Sequence, residues 1–327
     1  MRAIPSLVIG SALLALCSCG GSSPSTPTGP SPTVTGTSPT PPAMTMISGA
    51  VTATNGNQPI GGLSVSASTS TVTTDAQGRF IFPVSGSGTG GSLPITITGA
   101  PIVRRKTNLA LSTHGVIGLG VFNVAQGFDI NYFRQLAHGA YDRPVLRPIQ
   151  RWTRNPSVHI QTLDFAGHAI DPQAIVLARS AITDTIGAFT GGQLGVAAFE
   201  QGTASRAGQP GWLTVIWGGE TSELCGSATV GFEGGTIEID TLTPGCRCAG
   251  LAIDPAVVRH ELGHSMGMWH TDRREDLMYP QRSGSCGFVP SAREREYAAY
   301  VYARPVGNTD PDDDPSSTIF AKPERIK

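Results

Sequence analysis

Residues 260 to 270 read His-Glu-Leu-Gly-His-Ser-Met-Gly-Met-Trp-His, and this stretch restricts the local fold more than any other in the chain. His260 and His264 are four residues apart, so on a helix both rings leave one face a turn apart and can grip a single ion. Glu261 sits beside them. Gly267 can adopt φ > 0, which stops the helix and swings the chain back to bring in His270 as a third ligand. Upstream, Asp254-Pro255 supplies an N-cap and a proline at the first helical position. A helix is therefore predicted over about 255 to 266, with Val257, Val258 and Leu262 on the side away from the metal. Three protein ligands leave one tetrahedral position open, as in a catalytic zinc site, whereas a structural site closes with four. The blander reading is an amphipathic helix that carries two histidines and ends at a glycine.

Eight residues beyond His270, Met278 lies within Asp276-Leu277-Met278-Tyr279-Pro280. With this second element the motif resembles the metzincin metalloproteases, and the short gap and the Leu-Met-Tyr-Pro wording are most similar to the matrixins. The resemblance covers residues 260 to 280 closely and 145 to 303 loosely. It implies an α+β catalytic domain, a twisted mixed sheet with a backing helix and a zinc helix. It also implies one catalytic Zn2+ on His260, His264 and His270, and a zinc-dependent endopeptidase that cleaves proteins or peptides. Glu261 is then the general base toward a zinc-bound water and returns the proton to the leaving amine. Met278 packs beneath the histidines without binding metal, and Tyr279 and Pro280 wall the pocket after the scissile bond. Two alternatives stay open: an inactive surface adhesin or binding lipoprotein, and a zinc hydrolase of cell-wall peptides. The propeptide cysteine that keeps matrixins latent and the histidine and aspartate cluster of their structural zinc have no match here.

The surrounding pattern suits that domain, predicted over 145 to 303. A strand is expected at Ser157 to Gln161. Asp171-Pro172 opens a helix in which Ile175, Leu177, Ala178, Ile182, Ile186 and Phe189 recur at helical spacing until Gly191-Gly192. Strands follow at 212 to 217, 228 to 232 and 236 to 240. In the resemblance, Ser227 to Phe232 is the edge strand that pairs with an extended substrate. A last helix, capped by Ser291, runs through Tyr302 with Arg293, Glu294, Arg295 and Glu296 expected in solvent. The acidic tail, 304 to 327, reads as disordered; a calcium loop at Asp310 to Asp314 is the alternative, without further support.

The start of the chain reads differently. Met1-Arg2, an apolar run from Ala3 to Leu16 and then Cys17-Ser18-Cys19-Gly20 form an export signal, too short to span a membrane. Leu16 to Cys19 resembles a lipobox, which implies lipidation of Cys19, and Gly20 favours the outer membrane. An ordinary signal peptide and secretion are the alternative. Residues 20 to 43, nearly all Gly, Ser, Thr and Pro, make a disordered tether. From 44 to 111, short alternating strands between turns predict a small β-sandwich. Gly49-Ala50-Val51, Gln58-Pro59-Ile60 and Thr74 to Phe80 resemble the carboxypeptidase-regulatory-like, transthyretin-type domain, with Phe80 and Phe82 facing its core. Residues 112 to 144 read as a connecting segment with one helix, Ile130 to His138, capped by Asp129, with Phe128 stapled against Phe133.

Four cysteines remain after the signal, and an exported chain favours disulfides. Cys246 and Cys248 are poorly placed to bridge each other, so Cys225 with Cys246 and Cys248 with Cys286 is the preferred pairing. A four-thiolate zinc site is the alternative. His114, His138, His159 and His168 lack ligand spacing and are assigned ordinary surface or core roles. A formal charge of −1 and no basic run give no general attraction for nucleic acid. The chain is expected to act as a monomer.

Overall fold

Two cores organise the computed structural model, which describes residues 44–68, 70–85, 91–110, 116–218, 224–280, 286–317 and 322–326. The export signal, Cys19, the tether and His114 lie outside the described residues. Residues 42–327 form one compact unit. Within it the fold is α+β.

The first core belongs to a two-sheet sandwich. One sheet joins β1 (Met44–Ala53), β4 (Arg79–Ser85) and β7 (Ile117–Val121) in the order β4-β1-β7. The other joins β2 (Ser64–Ala67), β3 (Ser70–Thr73), β5 (Ser92–Thr98) and β6 (Arg105–Ala110) in the order β3-β2-β5-β6. Period-two alternation sets the inner faces: Leu93, Ile95 and Ile97 are buried from β5, Val65 and Ala67 from β2. Phe80 and Phe82 both turn inward and stack with ring centroids 5.8 Å apart.

The boundaries expected at 111 and 144 differ from what the chain does. Strand β7 runs parallel to β1, Gly49 opposite Ile117 through Ala53 opposite Val121, and completes the sandwich. Its Ile-Gly-Leu-Gly-Val sequence hid a strand among glycines. Helix α1 (Ile130–His138) is no connector either, because Tyr132, Phe133 and Leu136 enter the second core. Asp129 caps it through the amides of Asn131 and Tyr132, and Phe128 meets Phe133 at 5.5 Å as a staple.

The second core lies between helices and a six-stranded sheet. Its strands are β8 (Ser157–Gln161), β9 (Ala198–Gly202), β10 (Trp212–Trp217), β11 (Gly226–Thr229), β12 (Thr236–Ile239) and β13 (Arg325–Ile326). Their order is β13-β11-β12-β10-β8-β9; β9, β8, β10 and β12 are parallel, while β11 and β13 run antiparallel to their neighbours. Helix α2 (Pro172–Thr185) and helix α3 (Pro255–Ser265) bury Ala178, Ile182, Val258 and Leu262 in one apolar cluster with Val158, Val215 and Ile237. The continuous regular helix expected to 189 stops at Thr185, and a 3-10 turn over Ala188–Thr190 follows.

Two expectations of solvent exposure are overturned. Helix α4 (Ala292–Tyr302) begins with a capping box, and its Glu294 is fully buried because it also accepts from the amides of Leu277 and Met278. The described part of the acidic tail is packed as well. Asp312 is buried against Arg304, Asp310 pairs with Arg134, Asp313 with Arg104 and Asp314 with Arg105. Guanidinium groups neutralise these carboxylates where a calcium ion would have had to.

Both disulfides pair as preferred, Cys225 with Cys246 and Cys248 with Cys286, which replaces the four-thiolate alternative. They fit an oxidising, exported setting. Among the described residues no helix is long and apolar enough to cross a membrane.

Candidate metal centre and catalytic carboxylate

Helix α3 places the first two histidines. Asp254 accepts from the amide of Ala256, and Pro255 occupies the first turn. At the other end, carbonyls left without helical partners are satisfied by buried donors: Trp152 Nε1 to Ser265 at 2.9 Å, Tyr302 hydroxyl to Met266 at 3.0 Å, and the Gly231 amide to His264 at 3.0 Å. Gly267 then turns the chain at φ +106, packed so closely on the Gln150 carbonyl that a Cβ would collide with it. This turn returns His270 to the face of the helix.

The three rings converge. His264 Nε2 is 3.1 Å from His260 Nε2 and 3.2 Å from His270 Nε2, and His260 and His270 are also 3.2 Å apart. Each Nδ1 is already engaged: His260 with the Leu277 carbonyl at 2.6 Å, His264 with the Met268 carbonyl at 2.8 Å, and His270 with Asp142 Oδ1 at 2.7 Å. A carbonyl can only accept, so His260 and His264 carry their proton on Nδ1 and present Nε2 as a lone pair. Burial, with the neighbouring His270 and His260 rings, holds the His264 pKa well below the usual histidine range, which keeps it neutral.

Three converging lone pairs repel one another unless a cation lies between them. Nitrogens about 2.0–2.1 Å from one tetrahedral zinc stand roughly 3.3–3.4 Å apart, close to the spacing seen here. The donor set therefore fits a metal ion, and these histidines form a group able to hold one. A second cluster, Cys248, Asp254 and Cys286, has its two thiols consumed in a disulfide.

Asp142 carries no local signal in the sequence, because its partner His270 lies 128 residues away. It follows Gly139, the αL residue ending α1, and its two oxygens accept from both Nδ1 and the amide of His270. Such a partner fixes the ring's tautomer and orientation. Replacing Asp142 with alanine is expected to weaken zinc binding by about 10- to 100-fold, read by competition with a chelating dye. Unchanged affinity would remove Asp142 from the site.

The Met278 segment forms the floor. Met278 is buried with its sulfur against Gly263, on the turn between His260 and His264. Its carbonyl accepts from Thr271, and its amide and that of Leu277 donate to Glu294. Tyr279 and Pro280 follow, half-buried. Burial and the nearby Asp276 carboxylate push the Glu294 pKa up to about 7, against three amide donors that pull it down. A carboxyl whose pKa rises on folding contributes most below the unfolded value and loses that contribution as pH climbs through the folded one. Between pH 4.5 and 7.5 this group is expected to lower stability by on the order of 3 kcal/mol. Across that range, urea unfolding should show the native protein losing on the order of 3 kcal/mol as pH rises that Glu294→Gln does not lose; parallel curves would contradict the assignment.

Glu261 faces the sheet edge. It is 5% exposed, and its Oε2 has no protein hydrogen-bond partner, while a Cβ placed on Gly226 would lie 2.7 Å from Oε1. Burial raises its pKa well above the usual carboxylate value; Arg325 opposes and Glu238 adds to the rise. The other described histidines are elsewhere: His138 and His159 are buried, and His168 is exposed beside Asp164.

No family model matches the chain, and no curated protein does. Among solved structures, the crystal structure of metalloproteinase-II from Bacteroides fragilis is similar over 80% of this chain and 87% of that one, at 13% identity and a TM-score of 0.31.

Proposed function

We propose that this chain is a zinc-dependent endopeptidase of the metzincin type, with His260, His264 and His270 as ligands and Glu261 as general base. The observation that carries this is the meeting of three Nε2 lone pairs, every Nδ1 already committed, beside a buried carboxylate with one unpartnered oxygen. Zinc, when bound, supplies a +2 charge that polarises a carbonyl oxygen and makes water more acidic. Asp142, Leu277 and Met268 hold the three rings in position through Nδ1. Glu261 takes a proton from the attacking water at Oε2 and delivers it to the nitrogen of the departing amine. Its burial raises its proton affinity, which suits a group that must take a proton from water. Met278 contributes packing alone.

Export belongs to the same proposal and is supported by the signal-like N-terminus and the two disulfides, while anchoring through Cys19 rests on the resemblance of Leu16 to Cys19 to a lipobox. The test for the enzyme uses purified protein, stripped with a chelator and then given zinc, on a mixture of denatured proteins. Cleavage should disappear on stripping and return with about one equivalent of metal. A protein that binds one equivalent and cleaves nothing would sink the proposal. For the anchor, fatty-acid labelling should vanish in Cys19→Ala; persistent labelling would refute it.

A further inference from the structure

The outer edge of β11 is not left bare. Residues 324 to 326 lie along it antiparallel, with Arg325 opposite Thr229 and Ile326 opposite Ala228, and the Val230 amide donates to the Glu324 carbonyl at 2.8 Å. In an antiparallel pair each step forward on one strand is a step back on the other. The segment therefore travels from Val230 toward Gly226, the residue that abuts the Glu261 carboxyl. That is the path of an extended peptide led to the catalytic carboxylate by main-chain pairing with a sheet edge.

Each side chain of the segment has a receiving site. Glu324 is held by Arg143 at 2.8 Å and Arg147 at 3.2 Å. Arg325 donates to Ser227 Oγ at 2.6 Å and pairs with Glu238. Ile326 is buried with Val230 and Trp269. These walls adjoin the metal centre itself, for Trp269 precedes His270 and Arg143 follows Asp142. A two-residue strand has little hold of its own. The three side-chain sites are what retain it.

Building on the peptidase reading, we infer that this groove binds extended peptides carrying an acidic, a basic and an aliphatic residue in succession, and that residues 324–326 fill it as an internal competitor. The chain thereby restrains its own access to substrate. A tethered segment acts at an effective concentration of about millimolar, so a tenfold restraint requires the free peptide to bind with a dissociation constant of about 0.1 mM or tighter.

The test compares three forms of the protein: the full chain, a chain ending at Ala321, and the full-length double variant Arg325→Glu, Ile326→Asp. Thermal melting establishes that each is folded. Activity is read on an unstructured peptide library, and binding of the synthetic peptide Lys-Pro-Glu-Arg-Ile-Lys is measured by calorimetry. The shortened chain and the double variant are expected to show at least a tenfold higher kcat/KM, mainly through a lower KM. The peptide should bind the shortened chain, inhibit it competitively, and lose both effects when its arginine is replaced by glutamate. Folded variants with unchanged kcat/KM and no peptide binding would overturn the proposal, as would variants that cannot fold, since β13 is then a fixed part of the sheet. Specific peptide binding by a shortened chain that cleaves nothing would support the groove while refuting the peptidase reading.

Discussion

Replacing His264 with alanine is expected to empty the metal site, abolish peptide hydrolysis and erase the thermal stabilisation that zinc gives the native protein. His264 is 1% exposed and stands within 3.2 Å of both other Nε2 atoms, so no other side chain can swing in to replace it. Two remaining imidazoles bind zinc far more weakly, since the apparent free energy of a full four-ligand structural zinc site is about 10–16 kcal/mol, or roughly 3 per ligand. At zinc a thousandfold above its dissociation constant, the intact site adds about 4 kcal/mol to folding, or roughly 10 °C in melting temperature. The variant should melt at one temperature with or without zinc. Its metal-free form should also be weaker than the metal-free native protein, because the Met268 carbonyl loses its donor. A variant that retains stoichiometric zinc and its melting shift would show that the metal is held elsewhere.

The second large effect lies in the ion pair between Arg304 and Asp312. Arg304 is 1% exposed and grips Asp312, itself wholly buried, through two bonds of 2.7 and 2.8 Å, with its guanidinium 3.9 Å from the centroid of the Phe122 ring. Its Nη1 and Nη2 also reach the Thr54 hydroxyl in the sandwich, and Asn308 donates to the same carboxylate. Arg304→Met leaves Asp312 ionised in an apolar setting, a loss of about 3–5 kcal/mol. Replacing both partners, Arg304→Met with Asp312→Leu, removes the orphaned charge and should recover most of that stability. Urea unfolding of the four proteins in a double-mutant cycle gives the coupling directly. A single variant within about 0.5 kcal/mol of native would mean that the pair does not hold the tail in place.

That same pair shows where the sequence was legible and where it was not. The three converging histidines could be read because their spacing is local: a helix turn, a glycine stop and a short return encode the geometry within eleven residues. The caps of α1, α2 and α3 were readable for the same reason. Asp142 was not, because nothing in Ala-Tyr-Asp-Arg announces a partner 128 residues away. The run Asp310 to Asp314 looked like a solvated tail until its partners appeared at Arg134, Arg304, Arg104 and Arg105, all but one distant in sequence. Glu294 is the instructive miss. An Arg-Glu-Arg-Glu run suggests solvent, yet Ser291-x-x-Glu294 was a capping-box signal that already gave this carboxylate an inward-facing task. Strand β9 escaped because Ala-Phe-Glu-Gln-Gly has neither the length nor the alternation that marks a strand alone, and pairing with β8 creates it.

Glu261 gives the most direct test of the central claim, that a three-histidine metal site and one buried carboxylate hydrolyse peptide bonds. The native protein and Glu261→Gln should be loaded with zinc, assayed for bound metal, and compared on one denatured substrate. Glutamine has the same shape and leaves all three histidines in place, but it cannot accept the proton. Both proteins are predicted to hold one zinc, with cleavage by the variant reduced by about 10³-fold. Equal cleavage by the two proteins at equal zinc content would contradict the account.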